Sequence, residues 1–247
     1  MSFLGRPQTS SAQSIALTVS VNTTNYNVFT AAGSPTRKAN VNLTITGGAI
    51  INSAVYSSPA LDTTGLPVGS TLTIKTGSSG KIIGGPGPGG AGGVNNNGQN
   101  GLTGGGAMNL TVPLVIEAGV TLTIGGGGGG GGGGASGIGN GGNGGAGAGG
   151  VTLNGSNGNP GLSTGGGTGG TGGAAGVAGS LGSVPTGTDG AGGGGGGGGA
   201  GAAGASGRQD SNAIFSPGTG GPPGNAITTN GNSVTGSGNA TIYGAIV

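Results

Sequence analysis

The sequence predicts a mostly β and irregular fold: an N-terminal β domain, then a polyglycine II helix bundle with short β-strands at its base. Three observations lead there. Glycine supplies 74 of 247 residues, with unbroken runs at Gly125–Gly134 and Gly192–Gly199, where ordinary domains use about 7%. Between the runs lie short blocks of Val, Ile, Leu and Thr, such as VNLTITGGAII and NLTVPLVIEAGVTLTI. Only 4% of residues are charged, for a formal net charge of +2. Glycine loses more freedom on ordering than any other residue. The runs must therefore stay disordered or recover that loss through backbone contacts. Charge is too sparse to hold the chain extended, and disordered linkers lack such apolar blocks. Ordered runs are the expectation.

The first domain, residues 1–83, reads as β. IALTVSVNTTNYNVFT, VNLTITGGAIINS and STLTIKTGSSGKII are short β-rich runs broken by Gly, Asn and Ser. Val41, Leu43 and Ile45 alternate with Asn42 and Thr44, the pattern of a half-buried strand. STLTIKTG returns as VTLTIGGG near Val120, and NATIYGAIV closes the chain. Such repeats predict strands stacked at one end of the molecule. MSFLGRPQTS ahead of them reads as an attachment or disordered segment, without the basic and apolar regions of a signal peptide.

The second domain, residues 84–247, carries an inserted strand block at 107–124 and closing strands at 225–247. Glycine recurs every third residue at Gly84, Gly87, Gly90 and Gly93, again from Gly141 to Gly150, and again from Gly167 to Gly182. Period three belongs to the extended left-handed helix, with about 3.1 Å rise per residue. Collagen fits poorly, because the register breaks at each interruption and only 12 residues are proline. In polyglycine II every N–H and C=O points sideways to a neighbouring rod. Outer rods need glycine only on inward edges; a surrounded rod needs it everywhere. Gly125–Gly134 and Gly192–Gly199 are therefore expected at the centre.

Counting directions from a strand base gives turns at Val94–Asn97, Ala135–Asn140 and Ala174–Val177, with Val151–Ser163 and Ser183–Thr188 at the base. Gly190–Gly201 is expected to run outward, which puts Ser206–Pro217 at the far tip.

Chemistry-bearing motifs are few. The chain has no His and no Cys, which removes the usual catalytic triads and most metal centres; no catalytic residue, metal or cofactor is assigned, and no enzyme activity is expected. The acids are Asp62, Glu117, Asp189 and Asp210, and only an Asp189–Asp210 pair is conceivable as a glycosidase couple. GSSGK at Gly77–Lys81 lacks phosphate-loop spacing. Five of the six basic residues precede residue 82, and no aromatic-basic surface for nucleic acid follows. No apolar run approaches the length of a membrane span, about 18 residues, so no membrane insertion is expected.

The G-x-x runs GGPGPGGAGG, GGNGGAGAGG and GGGTGGTGGAAGVAG, the two pure runs and the closing NGNSVTGSGNATIYGAIV resemble the glycine-rich tail-fibre tip adhesins and related tail proteins of bacteriophages. The resemblance covers residues 84–247. It implies a sandwich of polyglycine II helices on the virion, with distal loops that bind a host outer-membrane protein or surface glycan. It also implies an N-terminal domain that joins other tail or fibre proteins. By position the loops are Val94–Asn97, Ala135–Asn140, Ala174–Val177 and Ser206–Pro217. Residues 1–83 depart from the aromatic-rich attachment domain of T-even adhesins and look like the Thr/Val-rich leader of other phage proteins.

Within those loops the receptor-binding candidates are Asn95, Asn96, Asn97, Ile138, Asn140, Arg208, Gln209, Asp210, Asn212 and Phe215. Asparagine offers adaptable amides, and RQDSNAIF at Arg208–Phe215 is the one place after residue 83 where charge and an aromatic ring cluster. Two other readings compete with a receptor-binding protein: a purely structural virion fibre or decoration component, and an ice-binding protein. Irregular loops and the N-terminal β domain disfavour the latter.

Overall fold

The computed structural model describes residues 11–162, 166–186, 190–212 and 214–247, with the backbone alone for Ile138. MSFLGRPQTS, Ser163, Thr188 and Asp189 lie outside the described residues. The described residues are almost entirely strands and irregular segments, with one short α-helix at Val28–Ala31.

Strands β1 (Gln13–Val19), β2 (Thr23–Thr24) and β3 (Tyr26–Asn27) belong to three different sheets, and the chain then revisits those sheets in the same order. β4 (Ala39–Ile45), β5 (Ile50–Asn52) and β6 (Leu61–Asp62) make the second rung; β7 (Thr71–Ile74) and β8 (Ser79–Ile83) begin the third. All pairing in these sheets is parallel. The path is a three-sided parallel coil with rungs stacked at the usual strand spacing of about 4.8 Å.

A strand in such a coil turns alternate side chains inward. In β4, Ala39, Val41, Leu43 and Ile45 are buried. Register stacks like on like: Val41 on Leu72 and Leu114, Leu43 on Ile74 and Ile116, Ile51 on Ile82 and Ile124, Leu61 on Met108 and Ile227. A coil filled by one aliphatic per position has no large void to close, so three Phe and three Tyr suffice. Corners satisfy their own polar groups: buried Ser70 and Ser78 hydroxyls accept the N–H groups of Ala39 and Ile45 in the preceding rung. Gly77 and Gly119, both at positive φ, turn the same corner in successive rungs.

The repeat seen in the sequence is one of kind, not of place. STLTIKTG forms β7 in one sheet, whereas VTLTIGGG forms β12 (Thr121–Gly125) in another.

From the end of β8 the chain leaves the coil. It makes two rods at 84–93 and 98–106, joined by β9 (Val94–Asn96), and returns as β10 (Met108–Asn109). β10 completes the third rung, and β11 (Leu114–Ile116) and β12 begin the fourth. The second excursion leaves from the same corner one rung on. It carries rods at 126–134, 141–149, 155–161, 167–173, 178–183, 191–199, 202–208 and 218–224, with β13 (Ser136–Asn140) after the first of them. The chain then closes the coil with β14 (Ile227–Thr228), β15 (Val234–Thr235) and β16 (Thr241–Tyr243).

Hydrogen bonds between rods fall every third residue. Gly84, Gly87, Gly90 and Gly93 donate to Gly125, Gly128, Gly131 and Gly134. The rod at 126–134 bonds to those at 84–93, 98–106, 141–149, 191–199, 202–208 and 218–224. The rod at 191–199 likewise has six bonded neighbours, at 126–134, 141–149, 155–161, 167–173, 178–183 and 202–208. Contact is close enough that a Cβ on Gly129 would lie 1.8 Å from the Gly221 oxygen. Where an outer N–H faces no carbonyl, a side chain from the next rod accepts it: Asn100 from Thr219, Asn143 from Gly92, Asn157 from Gly172, Ser180 from Thr171 and Ser183 from Thr168.

Several expected directions are corrected. Residues 155–161 form an outward rod, so only the start of Val151–Ser163 is basal. Ala174–Val177 is a basal turn: Gly176 donates to Ala200, whose neighbour Gly201 donates to Gly126, itself bonded to Tyr243 of the coil. Ser183 is distal, beside Thr168. Residues 191–199 run back to the base, and 202–208 run outward. Two unanticipated rods, at 155–161 and 202–208, cancel in the count, so the loop after Arg208 is still distal.

Two experiments follow from this packing. Gly129→Leu should cost more than about 4 kcal/mol and leave no cooperatively folding protein, whereas Thr168→Leu, at an exposed position, should lose about 1 kcal/mol through its Ser183 bond. Comparable thermal melts for both would overturn the surrounded-rod description. The second concerns Glu117, whose carboxylate is held by the Lys75 ammonium and the Thr76 N–H across adjacent rungs. The Lys75 bond, then the Thr76 N–H, lowers its pKa. The stabilisation is present above the unfolded carboxylate range, near about 4.3, and is lost as pH falls through the lower folded value. Glu117→Gln should lower the melting temperature at neutral pH, and the two proteins should converge as pH falls through the lowered folded value.

Candidate functional site at the distal loops

The described distal segments are 94–97, 135–140, Leu162, 184–186 and the loop after Arg208, all gathered at the far ends of the rods. β9 and β13 pair antiparallel, joining the first two loops. Asn140 accepts the Leu162 N–H at 2.8 Å and forms an isolated bridge with it, which adds the third. Asn97 Oδ1 accepts the Ser216 N–H at 2.8 Å, tying the first loop to the last. The loops form one connected surface.

The sequence-derived candidates divide by what they touch. Asn95, in the left-handed region at φ 51°, and Asn96 are exposed, although Asn96 Oδ1 accepts the N–H of Asn97. Asn97 is a brace between loops. The Ile138 backbone lies in β13. Asn140 is exposed. The Arg208 guanidinium donates through Nε to the Gly182 carbonyl at 2.8 Å, so it pins the 178–183 rod. Gln209 and Asn212 are exposed, and Phe215 is half-buried beside Gly137. Asp210 is buried, and neither carboxylate oxygen has a hydrogen-bond partner among the described residues. Its carboxylate lies over Gly137, where a Cβ would sit 2.9 Å from Oδ2. Ala174–Val177 leaves the site altogether.

Sequence reasoning named Ile138 and Phe215 but missed four exposed aliphatic residues. Val94, Leu162, Val184 and Ile214 are 60%, 67%, 60% and 68% exposed, and each stands on a different distal segment. The missing signal for Leu162 was the glycine triplet Gly155, Gly158, Gly161, which marks an outward rod ahead of it. A groove of about 310 Å³ runs beside this surface, lined by Val94, Asn140, Asn143, Asn159, Pro160 and Leu162 with flanking glycines. Arg208 and Asp210 are the charged residues among the described distal residues, and no group of His, Cys, Asp and Glu there could hold a metal ion.

Burial of an unpartnered carboxylate is costly. Asp210→Asn should therefore raise the stability of the tip by roughly 1–3 kcal/mol, read as a higher melting temperature; a lower one would show that Asp210 has an attractive partner.

No curated protein sequence matched the chain. In structure it is similar to a chain in the crystal structure of the gp37–gp38 adhesin tip complex of the bacteriophage S16 long tail fibre, with 20% identity, a TM-score of 0.48, and coverage of 96% of this chain and 82% of that one. The model of the phage tail fibre adhesin Gp38 family matches residues 14–247, N-terminal strands included. The chain belongs to that family and is a receptor-binding protein of a phage tail fibre, carried on the virion.

Proposed function

We propose that the glycine rods form a polyglycine II lattice whose task is to present the distal loops to a bacterial surface, without catalysis. The carrying observation is the gathering of β9, β13, Leu162 and residues 209–212 and 214–217 on one surface, braced by Asn97 and Arg208. The period-three bonding supports the lattice reading, since that helix has no internal hydrogen bonds and must satisfy its backbone laterally. Asn95, Asn96, Asn140, Gln209, Asn212 and Phe215, with Ile138 on β13, are the proposed contacts, together with the exposed aliphatic residues Val94, Leu162, Val184 and Ile214. Arg208 and Asp210 act on loop shape. The partner is a host outer-membrane protein or surface glycan met through apolar and amide contacts.

The other end of the task is attachment to the remaining tail or fibre proteins, which we assign to the N-terminal β region. β1 is paired with β4 on one side, and its outer side is unpaired among the described residues. Gln13 N donates to Lys38 O, towards β4. Alternation then turns the N–H groups of Ser14, Ala16 and Thr18 outward. Natural proteins cover such edges, and strand addition by a fibre partner would do so.

Purified chain should adsorb to host cells. Replacing 209–217 with a Gly-Ser loop should abolish adsorption while the protein still melts cooperatively; retained adsorption after each distal loop is replaced in turn would sink the reading. Adsorption should change little between low and physiological salt, as contacts without charge pairs are weakly screened. Ala16→Pro, which removes an outward donor, should leave adsorption of the purified chain intact but prevent its incorporation into particles.

A further inference from the structure

We infer that the groove between the rods at 84–93, 141–149 and 155–161 is a binding site for one or two rings of a neutral, uncharged sugar. The inference rests on the distal receptor-binding reading and specifies a ligand class and a place for it. The groove is at the small end of ligand sites, lined by Val94, Asn140, Asn143, Asn159, Pro160 and Leu162. No ionisable side chain lines it. A charged sugar would find nothing to neutralise it there.

The amides are placed to read hydroxyls. Asn140 and Asn143 are three residues apart at the start of one rod, and Asn159 on the next rod donates its N–H to the Asn143 carbonyl at 2.7 Å. Asn143 Oδ1 is committed to the Gly92 N–H at 2.8 Å, which leaves its amide nitrogen to donate. The side chains of Asn140 and Asn159 form no hydrogen bond among the described residues. Each amide supplies an acceptor and two donors, a set that matches adjacent hydroxyls. Val94, Pro160 and Leu162 provide the apolar wall for a ring's C–H face.

An extended peptide is disfavoured by the backbone. Strand addition needs free N–H groups along an edge. In this groove Gly92, Gly141, Gly142, Asn159 and Leu162 donate to Asn143 Oδ1, Gly93, Gly192, Asn143 and Asn140, and Pro160 has no N–H. The lattice has already consumed those donors. Recognition falls to the side-chain amides.

The test is a titration of the full chain, followed by NMR of its asparagine side-chain amides. The probes are D-glucose, D-galactose, L-rhamnose, N-acetyl-D-glucosamine and their disaccharides, with D-glucuronic acid as the charged control and an acetylated, amidated tetra-alanine as the peptide control. Saturable binding of at least one neutral sugar is expected, with glucuronic acid weaker. Asn140→Ala and Asn159→Ala should each weaken it by about tenfold with an unchanged thermal melt, because neither side chain braces the rods. No saturable binding by any neutral sugar, binding unaltered in both variants, or binding of the peptide alone would overturn the inference. Cell adsorption measured on the unsubstituted chain separates the two readings: adsorption by a chain that binds no neutral sugar saturably overturns the groove assignment and leaves the distal loops as the receptor surface.

Discussion

The structure depends on one constraint: buried backbone N–H and C=O groups must be paired, and here most of that pairing occurs between rods with almost no side chain between them. A Cβ on most inward glycines would stand about 2 Å from a neighbouring carbonyl oxygen, as at Gly84, Gly104 and Gly128, each 2.0 Å. Such approach makes the lattice possible and forbids any other residue there. The entropy given up by glycine on ordering is offset by many lateral bonds of ordinary length, near 2.7 to 3.0 Å. Charge and hydrophobic burial contribute little inside the lattice.

The β coil supplies what a set of glycine rods lacks, a fixed register. β8 and β12 pair residue for residue up to Ile83 and Gly125. The next bond, Gly84 to Gly125, already belongs to the rods. A strand ladder thus passes directly into a rod ladder, and the two excursions leave one above the other because their parent strands do. Strand register is specified by alternating inward aliphatic residues, which glycine runs cannot provide. The aliphatic columns of the coil therefore align rods whose own sequence carries no register information. Tyr243, Gly126 and Gly201 close the same junction from the C-terminal side.

Much of this was legible in the sequence, for physical reasons. Alternation at Val41, Leu43 and Ile45 identified inward faces because a coil buries one side of each strand. The distinction between pure and period-three runs carried information on neighbours, because each lateral contact demands a glycine. Rod direction was harder. GSNGNPG, at Gly155–Gly161, looks like a polar loop, yet Gly155, Gly158 and Gly161 meet carbonyls of 191–199 in the way that longer runs do. Its asparagines obscured the period; Asn157 in fact accepts an N–H that the lattice leaves unpaired. The same blindness applied to Gly201, Gly204 and Gly207. Residue type could not separate Asn97, a brace, from Asn95, an exposed amide two positions earlier, because the difference lies in which loop arrives opposite.

That last difference bears on how such a tip can change its specificity. A loop residue whose side chain holds a neighbouring backbone, as Asn97 holds Ser216 and Arg208 holds Gly182, is constrained by the lattice even though it stands at the tip. Asn95 and Asn96, one or two positions away, and Asn212, four beyond Arg208, carry no such side-chain bond to another loop among the described residues. Where the distal loops meet the lattice they do so through backbone groups, as Gly98 donates to the Ser216 carbonyl and Gly192 to that of Ala135. Exposed side chains at the tips can therefore be exchanged at surface-level cost, usually within about 0.5 kcal/mol. Recognition and stability are thus separated residue by residue, not loop by loop. Variation compatible with folding should concentrate at exposed tip positions, and the braces beside them should keep a side chain able to make the same bond.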